Sequence, residues 1–195
     1  VVIYLIAVLM ILSYFKIEIT PLVATLGIGG LAVGLALQST ISNFFAGLYM
    51  VADKPINVGD FIKLPDADIS GYVEDIGWRS TRIKTLPNTI VIVPNSKLAE
   101  NMIVNNSLPE PEMAALVQCG VAYGSNLKKV EKVTIDVARK IQKTVPGGVK
   151  TFEPFIRYHT FGDSNINITN ILREEKFLDK YLITHEFINT LKERY

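Results

Sequence analysis

Few side chains in this sequence have the types and spacing that catalysis needs. His159 and His185 stand alone, with no second His or Cys at metal-ligand spacing, so each reads as a surface or core residue. Glu174 and Glu175 would be a general acid–base pair, but they lie between Arg173 and Lys176, a pattern that reads as a solvated charged face. Cys119 is the single cysteine and cannot form an intrachain disulfide; in "ALVQCGVAYG" it reads as a packed strand residue. Gly27-Ile28-Gly29-Gly30-Leu31-Ala32 fits G-x-G-x-x-A, with Asp53 near the distance of a ribose-binding acid. That fingerprint needs a strand before it and a helix and second strand after it, in a soluble domain. Here it sits inside an uncharged apolar stretch. The sequence therefore assigns no catalytic, cofactor-binding or metal residue and no cofactor, and an enzyme is not its reading.

The chemistry on offer is that of packing in lipid. Hydrophobicity does not drive helices together in a bilayer, so close backbone approach must. Gly30 and Gly34 form one small-xxx-small row, and Ala32 and Ala36 form a second. At about 100° per residue the two rows lie on different faces of one helix. One small face makes a dimer, whereas two let a helix touch a neighbour on each side, and identical helices packed so close a ring. Leu31, Leu35, Gln38 and Ser42 follow the spacing of the face left over. On a ring's axis the two leucines would make narrow apolar collars, which gate by dewetting. Spacing alone leaves open a packing helix in another kind of membrane protein.

The element carrying these rows is long. Between Glu18 and Asp53 no residue is charged, and the first fifteen residues carry no charge either. A helix over residues 19–52 is about 50 Å long, against a hydrocarbon core of about 30 Å. A break is therefore expected, at the polar cluster Gln38–Asn43. The opening run "VVIYLIAVLMILSYF" is shorter than the roughly 20 residues a span needs and reads as the end of a longer membrane helix. It has neither the charged start nor the cleavage site of a signal peptide. "KIEITP" reads as the loop to the next span, with Pro21 placed to open it. Lys54, Lys63, Arg79, Arg82 and Lys84 follow that span, which places the residues after 53 in the cytoplasm and makes the chain a multi-pass protein of the cell membrane.

Of 20 Lys and Arg and 19 Asp and Glu, only Lys16 and Glu18 precede Asp53, so the remainder is close to neutral. That balance argues against a nucleic-acid partner, which needs a basic excess on one face. Short β-rich runs ("DFIKL", "ISGYVEDIG", "STRIKTL", "TIVIVP") are separated by turns at Asp66–Asp68 and Pro87–Asn88 and are spaced like a small β-barrel. From Met113 the pattern becomes strand, amphipathic helix, two strands and helix, an α+β order. The expected domains are residues 1–52 (the end of one span and a kinked pore-lining helix), 53–107 (all-β) and 108–195 (α+β).

Several of these stretches together carry a resemblance. "GLAVGLALQ" and "SNFFAG", then "KPINVGDFI", "GYVEDIGWRSTRIKT", "VIVPNSKL", "NNS" and "VAYGSN", resemble, in order, the small-conductance mechanosensitive (MscS-like) channel family. The resemblance implies homoheptameric channels opened by membrane tension, with lipid as partner and ions and small osmolytes passing through. It also implies an Sm-like β domain and an α+β domain around a cytoplasmic vestibule. By position, Leu31 and Leu35 match the hydrophobic seal. Gly27, Gly30, Gly34, Ala24 and Ala32 match the residues facing a neighbouring helix. Gln38 matches the polar residue below the seal, and Gly47 matches the distal glycine of the helix along the membrane face. Ser39 stands where well-known members have a hinge glycine, so in the kink region (Gln38, Ser39, Gly47) a softer kink, or one placed elsewhere, is expected. Ile28 stands where alanine is common. The family usually continues past this chain's last residues with a strand and a closing barrel. The reading from another class is a membrane-anchored oligomeric scaffold whose Sm-like part recruits partners and which does not conduct.

Overall fold

The structure, a computed structural model, describes residues 2–194. Val1 and Tyr195, at the ends of the first apolar run and of the last helical run, lie outside the described residues. Helix α1 (Val2–Tyr14) ends in a short loop in which Lys16 takes a left-handed conformation, φ 59°. Helix α2 (Thr20–Asp53) opens with Pro21 in its first turn, as read from the sequence. Its fixed φ suits that position, and the amide it lacks has no helical partner there.

α2 runs unbroken for 34 residues. The interruption expected at Gln38–Asn43 is absent, and one polar side chain of the cluster is tied back to the helix itself. Asn43 Nδ2 donates to the Ser39 carbonyl at 2.8 Å, one turn back. Ser39, unlike glycine, also costs little in a helix interior. The helix stops at Lys54, which is left-handed (φ 52°) and followed by Pro55, and a proline cannot continue a helix.

The all-β part follows as strands β1 (Phe61–Leu64), β2 (Ile69–Ile76), β3 (Ser80–Thr85), β4 (Ile90–Pro94) and β5 (Val104–Asn105), with helix α3 (Asn95–Glu100) after β4. They form one antiparallel sheet in the order β4-β3-β2-β1-β5, and no pairing joins β4 to β5 among the described residues. The turns fall where the sequence puts them, with Asp68 and Asn88 at positive φ. The core is Ile56, Ile62, Leu64, Val73, Ile83, Val93 and Leu98, closed by Met50 of α2. The long helix is thus part of this core.

The α+β part holds β6 (Met113–Ala122), α4 (Leu127–Thr144), β7 (Phe155–Phe161), β8 (Asn165–Glu174) and α5 (Asp179–Arg194). Its sheet has the order β6-β8-β7, both pairings antiparallel, so β6 and β7 run parallel with β8 between them. Asn126 caps α4 by accepting from the Lys129 amide at 3.2 Å. Val130, Thr134, Val137, Ala138 and Ile141 bury one face of α4. Ile183, Phe187 and Leu191 of α5 join that core, against Ala115, Val117 and Leu172 of the sheet.

Candidate functional site

α2 carries every residue assigned to the pore, and it divides into two halves with different surroundings. The first half touches little of its own chain, and none of its most apolar window is buried. Leu31 and Leu35 are 66% and 64% exposed, one turn apart on one face. A Cβ built on Gly27, Gly30 or Gly34 meets nothing within 4 Å. Ala24, Ala32, Ala36, Gln38 and Ser39 are exposed as well. Counting about 100° per residue, the leucine row has the glycine row on one side and the alanine row on the other. Among the described residues α2 is the one helix long and apolar enough to cross a membrane.

The second half of α2 is seated on the all-β part. Asn43 Oδ1 accepts a hydrogen bond from the Ser96 amide at 3.0 Å, at the start of α3. Ala46, Gly47 and Met50 are buried. A Cβ on Gly47 would lie 2.7 Å from Asn95 Nδ2 and 2.8 Å from the Trp78 carbonyl. Asn95 is itself fully buried. It accepts from Thr81 Oγ1 at 2.9 Å and donates to the Gly77 carbonyl at 2.8 Å. Gly47, assigned from sequence to the kink region, is therefore a point of close approach between helix and sheet. Beside it Phe44, Leu48, Val51 and the exposed Trp78 line an apolar groove of about 210 Å³. The Asn43, Asn95 and Thr81 contacts were not read from the sequence. Their signal was "VPNS" and "SNFF", two motifs with no visible link between them.

The residues weighed for catalysis do not converge. His159 and His185 are exposed, bonded to Thr160 Oγ1 and the Asn189 amide respectively. No group of three or more His, Cys, Asp and Glu could hold a metal among the described residues. Cys119 is half-buried and accepts from Asn170 Nδ2 at 3.4 Å; burial pushes its thiol pKa up, as for an unreactive packed cysteine. Glu174 corrects the sequence reading. It is not on a solvated face but 1% exposed, and neither carboxyl oxygen has a hydrogen-bond partner. The β6–β8 ladder and the turn before Val149 close over it, while Glu175 alone faces solvent.

An unpartnered apolar helix seated on an antiparallel sheet, with an α+β unit behind it, defines a membrane protein with a large extramembrane part. The chain belongs to the MscS-like mechanosensitive channel family, a family of channels and not of enzymes. Residues 1–38 match the family's transmembrane helices 2/3, and residues 39–108 match its β-domain. The small-conductance mechanosensitive channel MscMJ of Methanocaldococcus jannaschii is 35% identical over 191 residues, covering 95% of this chain and 51% of that protein. The low conductance mechanosensitive channel YnaI of Escherichia coli is 34% identical over 156 residues, covering 80% of this chain and 45% of that protein. The closed-state crystal structure of Helicobacter pylori MscS superposes with a TM-score of 0.80 at 27% identity, over 98% of this chain and 73% of that one. The chain thus spans about half the length of the curated relatives it matches.

Proposed function

We propose that this chain forms the pore and part of the vestibule of a channel opened by membrane tension, which releases ions and small osmolytes. Leu31 and Leu35 of each copy form stacked apolar collars that seal the closed pore. The glycine row (Gly27, Gly30, Gly34) and the alanine row (Ala32, Ala36), with Ala24 by family resemblance, are where copies of α2 meet in a homo-oligomer, seven by family resemblance. Residues 1–52 lie in the cell membrane as part of a multi-pass region, with 53–107 and 108–195 as cytoplasmic domains. Gln38 and Ser39 allow a soft bend where the helix leaves the bilayer.

The observation that carries the reading is the leucine row flanked by two small-residue rows on a helix its own chain leaves uncovered. An ion entering such a collar sheds water and finds no polar group in exchange. Tension favours whichever state occupies more membrane area, so tilting the helices apart opens the collar by a population shift. The test is patch recording of the purified full-length protein in liposomes, together with particle symmetry. Tension-gated currents from a seven-fold ring support the reading. A ring that never conducts returns the protein to the scaffold class, and a stable monomer removes the pore.

A further inference from the structure

The end of β8, the turn before Val149 and the start of α5 enclose a carboxyl group whose oxygens have no hydrogen-bond partner. Glu174 pairs with Met113 across the β6–β8 ladder and bridges Gly148 through its backbone. The enclosure is tight. Gly147 sits at φ 81°, and a side chain there would strike the Asp179 carboxyl. The charged groups around Glu174 are committed elsewhere. Asp179 Oδ2 accepts from the Lys176 amide at 3.1 Å. The Lys180 ammonium lies 3.7 Å over the Phe177 ring. Glu112, before β6, turns to Arg173 at 2.9 Å. On β2, Tyr72 has its phenol raised by burial and by Asp179. The turn of residues 145–149 has no titratable side chain, and Glu175 and Lys176 are exposed.

Three residues beyond Glu174, the chain reaches across to the all-β part. Phe177 stacks on Phe61, with centroids 4.4 Å apart and planes 18° apart, and Phe61 in turn meets Tyr72 edge-on at 5.0 Å. Phe61 is 2% exposed, so this contact is set into the floor of the first sheet. The strap of residues 175–178 is pinned by the Glu175 amide donating to the Gly147 carbonyl at 2.8 Å, and by the Lys176 amide donating to Asp179.

We propose that Glu174 is a proton-operated latch: neutral, it keeps the strap folded and Phe177 on Phe61; ionised, it loosens both. A buried carboxylate without a partner is costly, and the strap is the part that can lift to let water reach it. Burial first, then Asp179, pushes this carboxyl up to about 7, with Lys180 pulling the other way. The changeover therefore falls near neutral pH, with the inter-domain contact firm below it and loose above. The latch rests on this packing and not on conduction.

Hydrogen exchange of the full-length protein, followed by mass spectrometry at pH 6 and pH 8.5 and corrected for intrinsic exchange, tests it. Amides 175–180 should lose about tenfold in protection at the higher pH, while the β6–β8 ladder does not. Glu174→Gln should abolish the difference, and so should Glu174→Met. Equal protection of the wild-type strap at both pH values overturns the latch, as does a pH response that survives in either variant. Should neither variant fold, the wild-type profile alone decides. A protein that shows this response but passes no current would refute the conduction reading and leave the latch standing.

Discussion

Asn43 of the long helix accepts a hydrogen bond from the backbone amide of Ser96, 3.0 Å away and 53 residues on in sequence. The same side chain donates to the Ser39 carbonyl, so one amide group joins the polar stretch of the helix to the first turn of α3. Asn95, the neighbour of Ser96, is tied in turn to Thr81 and to the Gly77 carbonyl. A tilt of the distal half of α2 cannot stay local. It must either drag the corner between β4 and α3 with it or break these bonds, each with a net value of about 1 kcal/mol. The helix that carries the leucine rows is mechanically part of the β domain at its far end.

Gly47 tests that seating. Gly47→Ala places a methyl group against Asn95 Nδ2 and the Trp78 carbonyl, and the backbone oxygen cannot swing aside. Overpacking of this kind costs about 1–3 kcal/mol. The full-length protein should melt several degrees lower, and protease should reach the segment after Asn43 sooner. Gly124→Ala, outside the long helix, is the control, since a Cβ there meets nothing within 4 Å. It should leave the melting temperature unchanged or slightly raised. Equal melting of Gly47→Ala and wild type would mean that the helix is not held where the structure puts it.

Much of this architecture was legible in the sequence, for a local reason. Strand β8 (Asn165–Glu174) is one of the two strands read between the helices of the α+β part, because alternating Ile, Ile and Leu residues mark its buried face. Pro21 marks the start of α2 by its own chemistry. Two readings failed, each because a distant or backbone partner was invisible. The polar run Gln38–Asn43 looked like a break, yet Asn43 finds its partner one turn back inside the helix. "REEK" looked like a solvated face, yet pairing with β6 and the glycine turn carries Glu174 inside. Asn95 belonged to a legible motif, but its task depends on Gly47 and Asn43, which only the fold brings beside it.

Glu174 gives stability a definite pH dependence. Its carboxyl is raised in the folded state to about 7, above the ordinary value it has unfolded. Between those two values the folded protein binds more protons than the unfolded one, so stability falls as pH rises. The stabilisation is fully present below the unfolded pKa and is lost as pH rises through about 7, amounting to on the order of 2–3 kcal/mol. Thermal unfolding at pH 5.5 and pH 8 should show the lower midpoint at pH 8, and Glu174→Gln should raise the pH 8 midpoint selectively. A Glu174→Gln protein with the wild-type pH slope would assign that slope to other groups.

Gly34 tests the small-residue face. Gly34→Leu adds a side chain where α2 should meet its neighbour, although the chain itself has room for it. The variant should therefore fold as a single chain and bear its cost of about 1–3 kcal/mol per contact only on assembly. Repeated around a ring, that cost shifts the balance between closed and open states. Patch recordings should show a clearly altered opening pressure, and particles should be fewer or of broken symmetry. An unchanged threshold with intact rings would place the helix contact on another face.

Leu35 tests the seal itself. It lies one turn from Leu31, and each is about two-thirds exposed on the face between the two small-residue rows. Leu35→Ser replaces an apolar wall by a hydroxyl that can hold water in the constriction. On the proposed ring this side chain points to the axis and not to a neighbour, so assembly should survive. An ion that keeps part of its hydration no longer meets a dewetted collar, and the barrier to conduction falls. The expected result is a leak at little or no applied tension and slower growth of cells expressing the variant. Leu31→Ser should act the same way, and joining the two should add little, because one wetted collar already shortens the dry stretch below what blocks ions. Channels carrying Leu35→Ser that open only at the parental tension would take Leu35 out of the gate. The search for the seal would then move down the same face to Gln38 and the Ser39 turn.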